Sequence, residues 1–291
     1  MDLKLGIHKA GIIGAGTMGA GIAQICAMQG IKTMVYDLSQ TALDKAKVII
    51  EKNLNKGIQR GKLTEEGKIQ CLENLSYTLK LEDIQVDLVI EAVVEKLEVK
   101  QSIFKILAEH NDNKCIFASN TSSIPISQIA SDIPNPERVI GMHFFNPAHI
   151  MKLVEVISGA STTDEIAQKI YDLALKLGKV PVMVKDSPGF IVNRVARHFY
   201  LESMKCLEEG IAEHSNIDKL IRNAGFRMGP FELMDLIGID TNYSVTTSMY
   251  DAFYQEARFR PSRIQKQKVD SGQWGKKNGQ GFYNYSENSG K

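Results

Sequence analysis

The chain has 291 residues, with 35 basic against 34 acidic side chains and a formal net charge of +1. At roughly 100–200 residues per domain, that length predicts one large or two ordinary domains with a proper hydrophobic core. Its 43% hydrophobic and 24% charged residues are those of an ordinary globular protein. No bulk positive charge is present to neutralise a nucleic acid, and no apolar run approaches the ~18 residues of a membrane span. The best candidate, residues 88–94, is interrupted by Glu91. Neither nucleic acid nor membrane is therefore an expected partner. Cys26, Cys71, Cys115 and Cys206 lie 44 or more positions apart, which gives no disulfide framework, no metal site and a reducing compartment. The first motif begins by Gly14, leaving no room for a leader in front of it. A cytoplasmic location is expected, with a processed organellar chain as the alternative. Only the polar tail, residues 286–291, resembles low-complexity sequence.

In chain order, residues 10–13 form an apolar run that leads into Gly14-Ala15-Gly16-Thr17-Met18-Gly19. Met18, Ile22, Ile25 and Met28 then recur near helical spacing, and Gly30 is a stop. Residues 32–36 read as a second strand, and Asp37 follows it, 18 positions after Gly19. This strand–glycine turn–helix–strand–Asp order predicts a dinucleotide site. Gly14 permits the tight turn, Gly16 lets the backbone approach a pyrophosphate, and Gly19 lets helix and strand pack closely. The helix start, Thr17 and Met18 included, supplies N–H groups to that pyrophosphate. Asp37 accepts from an adenosine ribose and repels a 2′-phosphate, so NAD is expected over NADP.

An insertion that a minimal unit of this kind does not need follows Asp37. A helix over residues 41–59 leads through Arg60-Gly61-Lys62 to a second helix from about Thr64 and a strand near Leu75. Lys52, Lys56 and Arg60 recur at i, i+4 and i+8, one basic stripe if the helix reaches Arg60. Asp44, Glu51, Glu65 and Glu66 nearby leave a plain solvated face open.

Residues 87–94 and 115–119 read as buried parallel strands with a helix over 97–108 between them. Glu95, Ser119, Asn120, Ser122 and His143 all follow apolar runs, where ligands of open parallel sheets sit. Residues 152–157 form a strand in which Glu155 shares a face with Leu153 and Ile157. A half-buried carboxylate needs a partner, and His143 is the natural one. Such a pair fixes the imidazole tautomer and suits general acid–base work. A merely hydrogen-bonded histidine gives the same spacing. Thr162-x-x-Glu165 reads as a capping box for a helix ending at Gly178, a strand follows over 180–184, and Asp186-Ser187-Pro188 reads as a helix entry. Helices are then expected over 190–209, 217–224, 231–237, 241–257 and 264–270. The fold class is an α/β Rossmann-like dinucleotide-binding domain, residues 1–185, followed by an all-α domain, residues 186–291.

These motifs in order, GAGTMG, IEAVVEKLEVK, SNTSS, GMHFFNP, MKLVEV, DSPGFIVNR, MGPFELMD and GKKNGQGFYNY, resemble the 3-hydroxyacyl-CoA dehydrogenase family, including bacterial 3-hydroxybutyryl-CoA dehydrogenases. The resemblance implies reversible NAD-dependent oxidation of an L-3-hydroxyacyl-CoA, in fatty-acid or butyrate metabolism, with His143 as base and Glu155 orienting it. It places substrate contacts on Ser122 and Asn193. It places cofactor contacts on Asp37, Glu95, Lys100, Ser122, Asn146 and Lys277 besides the glycine turn. It further implies a helical domain that builds a homodimer, and it makes Lys52, Lys56 and Arg60 candidates for the CoA nucleotide. A departure is His149, where the family usually has proline; it is expected to alter only the loop. Hydroxyisobutyrate-type dehydrogenases, with a lysine four before the asparagine, are excluded by Gly189. A gulonate-type sugar-acid dehydrogenase and a non-catalytic NAD-binding relative remain as alternatives.

Overall fold

The computed structural model describes residues 6–286, so the polar tail beyond Ser286 lies outside the described residues. The chain divides into two compact units, the first ending at Phe190 and the second beginning at Ile191. In the first unit, β1 (Lys9–Ile13), α1 (Thr17–Met28) and β2 (Lys32–Tyr36) precede the insertion, α2 (Gln40–Gln59) and α3 (Glu65–Glu73). Then come β3 (Leu75–Thr78), β4 (Leu88–Glu91), α4 (Leu97–His110), β5 (Ile116–Ser119) and the short α5 (Ile126–Ala130). β6 (Val139–Phe144), β7 (Leu153–Ser158), α6 (Asp164–Lys176) and β8 (Val180–Lys185) complete it.

All eight strands form one sheet in the order β3-β2-β1-β4-β5-β6-β7-β8. Every neighbouring pair is parallel except β6 with β7, which is antiparallel. The apolar runs of β4, β5 and β6 are buried throughout, because helices cover both faces of the sheet. On one face Ile22, Leu43, Ile50, Ile170 and Leu173 pack over Ile12, Ile90 and Val154. On the other, Phe104, Leu107 and Ile129 pack over Ile13, Val89 and Phe117. Pro181 is tolerated because β8 is an edge strand with no further neighbour.

Three local expectations are corrected. The cap of α6 is Thr163, whose hydroxyl accepts from Ile166 N; Thr162 instead donates to Val139 O at 2.6 Å. Asp186 starts no helix. Its carboxylate accepts from Ile126 N, Ser127 N and the Ser127 hydroxyl at 3.0, 2.8 and 2.7 Å, which ties it to α5 and the first unit. Gly189 and Phe190 take positive φ values of 71° and 52°, so the next helix begins only at Val192.

The second unit holds α7 (Val192–Glu208), α8 (His214–Asn223), α9 (Pro230–Ile237), α10 (Ile239–Ala252) and α11 (Arg263–Asp270). Expected to run to 257, α10 stops at Ala252, and the chain reverses through Tyr254 and Gln255 at φ 52° and 63°. Tyr200, Leu201, Met204, Phe231, Met234 and Ile239 form its core. Two buried carboxylates fasten the chain end to that core. Asp218 accepts from the Tyr283 hydroxyl at 2.8 Å, and Asp235 accepts from Phe282 N and Tyr283 N at 2.9 Å each.

Candidate active site

The glycine turn joins β1 to α1 at the carboxyl edge of the sheet. Gly14 has φ 104°, and a Cβ there would lie 2.7 Å from Ala92 O. A Cβ on Gly19 would lie 1.8 Å from Gly14 O, so only glycine lets α1 approach the turn. Around Gly16 a Cβ would meet no described atom within 4 Å, which leaves its backbone open to a ligand. The start of α1 carries no side-chain cap and no acid in its first turn, so its N–H groups and dipole suit an anion. Asp37 sits across from it. One carboxylate oxygen accepts from Ala15 N at 2.8 Å and the other from Ser39 N at 3.0 Å. Each oxygen retains accepting capacity for a ribose hydroxyl. These residues fit the adenosine and pyrophosphate of NAD.

Beyond β4 and β5 lies a denser polar cluster. Lys100 is only 1% exposed, its ammonium 2.7 Å from Glu91 Oε1 and 3.1 Å from Glu95 Oε2. Lys100, expected as a cofactor contact, thus faces two carboxylates. Glu95 Oε1 accepts from the Thr121 hydroxyl at 2.6 Å, Ser122 N at 2.9 Å and Ser123 N at 3.1 Å. Burial pushes the Glu95 carboxyl up, but the Lys100 charge and these hydrogen bonds outweigh it and hold the group below its usual range.

His143 and Glu155 are register partners across the antiparallel β6–β7 ladder. His143 Nδ1 lies 2.8 Å from Glu155 Oε2, with both residues buried. An ionised carboxylate can only accept, so it selects the tautomer in which Nδ1 donates to it and, in the neutral ring, Nε2 is the accepting nitrogen. Phe145 and Phe190 wall the imidazole at ring-centroid distances of 4.5 and 5.8 Å. Asn120 accepts from Phe144 N at 2.9 Å and so ties the loop after β5 to the end of β6. Asn146 is exposed in the loop that follows. Sequence reasoning singled out Ser122, His143 and Glu155 but missed the roles of Glu91 and Thr121. The only signal for Glu91 was an acid at the end of an apolar strand.

The basic stripe opens onto a cavity of about 540 Å³. Lys56, Arg60, Lys62 and His149 line it with Asn53 and Leu54, whereas Lys52 lies outside that wall. No lining residue is acidic. Of the four acids that left a solvated face open, none lines the cavity; Asp44 pairs with Lys47 at 3.1 Å and Glu51 lies 3.7 Å from Lys68. His149, expected to alter only its loop, forms part of this wall. Burial, with the charges of Lys179 and Lys56, keeps its imidazole below the ordinary histidine range. Lys179 in turn pins the loop by donating to Ala148 O at 2.5 Å and Met151 O at 2.9 Å.

The other expected site residues belong to the second unit. Asn193 lies in the first turn of α7. Lys277 donates to Asp240 Oδ2 at 2.5 Å and stands over the Trp274 ring at 5.1 Å. Among the described residues no group of three His, Cys, Asp or Glu could hold a metal ion, and no helix is long and apolar enough to cross a membrane.

A glycine turn that suits a dinucleotide and a buried His–Glu pair thus lie at one edge of the sheet. Residues 9–187 match the NAD binding domain of 3-hydroxyacyl-CoA dehydrogenase, and residues 189–285 match its C-terminal domain. The chain belongs to the 3-hydroxyacyl-CoA dehydrogenase family. It is 47% identical to the 3-hydroxyadipyl-CoA dehydrogenase of Escherichia coli (strain K12), over 97% of this chain and 60% of that protein. It thus spans about three fifths of that relative's length. It is 41% identical to a probable 3-hydroxybutyryl-CoA dehydrogenase of Deinococcus radiodurans, over 95% of this chain and 100% of that one. The crystal structure of (S)-3-hydroxybutyryl-CoA dehydrogenase from Ralstonia eutropha superposes with a TM-score of 0.93 at 38% identity, covering 96% of this chain and 99% of that one.

The Asp37 geometry carries a prediction on cofactor choice. A 2′-phosphate would meet a carboxylate already fixed by two backbone N–H groups and unable to turn away. NADH is expected to exceed NADPH in kcat/KM by at least about tenfold, or ~1.4 kcal/mol. Comparing the two cofactors in the native protein and in Asp37→Ala checks this, because the variant should narrow the ratio.

Proposed function

We propose that the protein interconverts an L-3-hydroxyacyl-CoA and a 3-oxoacyl-CoA with NAD, and that 3-hydroxybutyryl-CoA is a natural substrate. The observation that carries this reading is the 2.8 Å His143–Glu155 pair, buried at the carboxyl edge of a sheet that also bears the dinucleotide turn. In the oxidative direction His143 Nε2 takes the proton of the C3 hydroxyl as the carbonyl forms. Glu155 holds the imidazole in the tautomer that can accept that proton and stabilises the imidazolium that results. Bound NAD supplies the acceptor for the hydride that leaves C3. In the reductive direction His143 returns its proton to the oxygen. Ser122 holds a substrate oxygen. Glu95 and Asn146 complete the cofactor's surroundings in this unit.

The cavity beside α2 supports a CoA substrate over a free sugar acid. Its wall carries Lys56, Arg60 and Lys62 and no carboxylate, which suits a 3′-phosphate and pyrophosphate by charge-assisted hydrogen bonds. A sugar acid has no group that needs it. A homodimer built by the second unit is supported by an apolar groove of about 790 Å³ lined by Val195, Phe199, Tyr200, Phe226 and Leu233. Val195 and Phe226 there are 67% and 54% exposed, more apolar surface than an isolated unit needs to show.

Three outcomes are expected. First, His143→Gln should lower kcat for NADH-dependent reduction of acetoacetyl-CoA by roughly 10²–10⁴, with a smaller change in KM. Glu155→Gln should also lower kcat, and steady-state rates of the double variant should show strong non-additivity; additive losses would contradict a working pair. Second, Lys56→Ala with Arg60→Ala should raise KM for acetoacetyl-CoA while sparing kcat. The same change should leave KM for acetoacetyl-pantetheine, which lacks the nucleotide, unaltered, and Lys52→Ala should have the weaker effect because it lies off the wall. Third, sedimentation should give a dimer that Phe226→Asp converts to monomer.

A further inference from the structure

Ser122 lies in a polar loop, residues 119–123, that has little apolar side chain with which to pack. Directional bonds place it, and two routes of them lead back to one residue. Glu91 ends β4, is fully buried, and is the register partner of Ser119 on β5. Its Oε2 accepts from the Ser119 hydroxyl at 2.6 Å, and Ser119 Oγ accepts from Thr121 N at 3.2 Å. That is the first route to the loop. Along the second, both Glu91 oxygens accept from the Lys100 ammonium at 2.7 and 2.9 Å. The same ammonium reaches Glu95 Oε2 at 3.1 Å, and Glu95 Oε1 accepts from Ser122 N at 2.9 Å and from the Ser123 hydroxyl at 3.0 Å. Glu91 Oε1 is further fixed by Val93 N at 2.7 Å.

We propose that Glu91 is a positioning residue for the reaction: through Lys100 and Glu95 on one side, and Ser119 and Thr121 on the other, it sets where Ser122 meets the substrate. The proposal rests on the reading of Ser122 as a substrate contact. Glu91 touches no ligand, since it is fully buried, and acts only through its neighbours. A carboxylate is required there. Lys100 has three protons to place, and two accepting oxygens on Glu91 hold the ammonium where it also meets Glu95. A glutamine would offer one accepting oxygen and turn an NH₂ toward the ammonium. The ammonium would then move onto Glu95 and pull its carboxylate away from Ser122 N. An aspartate keeps the charge but is one methylene too short to serve Lys100 and Ser119 together.

The test is a double-mutant cycle on the full chain, with Glu91→Gln, Ser122→Ala and their combination, read as kcat and KM for acetoacetyl-CoA at saturating NADH. Glu91→Gln is expected to lower kcat about tenfold, with a smaller change in KM for acetoacetyl-CoA. In the Ser122→Ala background the same change should cost less than about twofold, because the residue it positions is gone. Loss of packing alone would give the full loss in both backgrounds. Thermal unfolding and NADH fluorescence titration establish that each variant is folded. Should Glu91→Gln fail to fold, Glu91→Asp is read in the same cycle with the same expectation. A normal kcat in a folded Glu91 variant, or an equal loss with and without Ser122, overturns the proposal. Should Ser122→Ala alone leave kcat unchanged, the reading of Ser122 itself falls, and the proposal with it; a clear Ser122 effect with additive Glu91 loss overturns the proposal alone.

Discussion

A histidine at the end of β6 can face the third residue of the next strand only if that strand runs back beside it. The antiparallel step between β6 and β7 is therefore the constraint on which the site depends. Had the sheet continued parallel, a crossover would have followed β6 and the next strand would have started from the opposite edge. Instead the eight residues between Phe144 and Leu153 return directly, and His143 and Glu155 become ladder partners. The backbone register fixes one ring nitrogen on a carboxylate before any ligand arrives. Burial then sharpens the pair, because a charge formed on the imidazole has few waters to respond to it and one carboxylate close by.

The same edge shows three different reasons for glycine within six residues. Gly14 is required by backbone conformation, Gly19 by contact with Gly14 O, and Gly16 by the open space a ligand's phosphates would occupy. Asp37 links this turn to β2 through Ala15 N. The carboxylate that would read the ribose also braces the loop that would hold the pyrophosphate. Cofactor recognition and the shape of the turn are thus not separable at Asp37, and a neutral residue there alters both.

Much of this was legible in the sequence because it follows from period and order. Continuous apolar runs marked β4, β5 and β6, the glycine spacing marked the turn, and Glu155 stood out as an acid inside an apolar strand. What could not be read depends on partners far apart in the chain. Asp186 looks like a helix start from its neighbours, yet its bonds go to Ile126 and Ser127, 60 and 59 positions earlier. Thr162 and Thr163 are equally good caps by residue type, and only the bond from Thr162 to Val139 O decides between them. His149 looked like loop variation, since nothing local reveals that its loop closes over α2. Glu91 looked like an interruption, because the cation it serves is on the next helix.

Burying Glu91 and Lys100 carries a real cost, since desolvating charges offsets most of their mutual attraction and apolar substitutes of similar shape are often as stable. The cluster is therefore poorly explained as a device for stability. Its location suggests the alternative. It lies where the sheet ends and the chain must turn polar, and hydrophobic packing, being non-directional, cannot place a loop of serines and a threonine to within a few tenths of an ångström. Directional bonds can, provided their acceptors are themselves immobile. Without Lys100, Glu95 would be held only by the loop it is meant to place, and Lys100 would lack a fixed seat without Glu91. The chain of dependence runs inward from a polar loop to a buried carboxylate on a strand. It parallels the way His143 depends on Glu155, one strand pair further along the same edge.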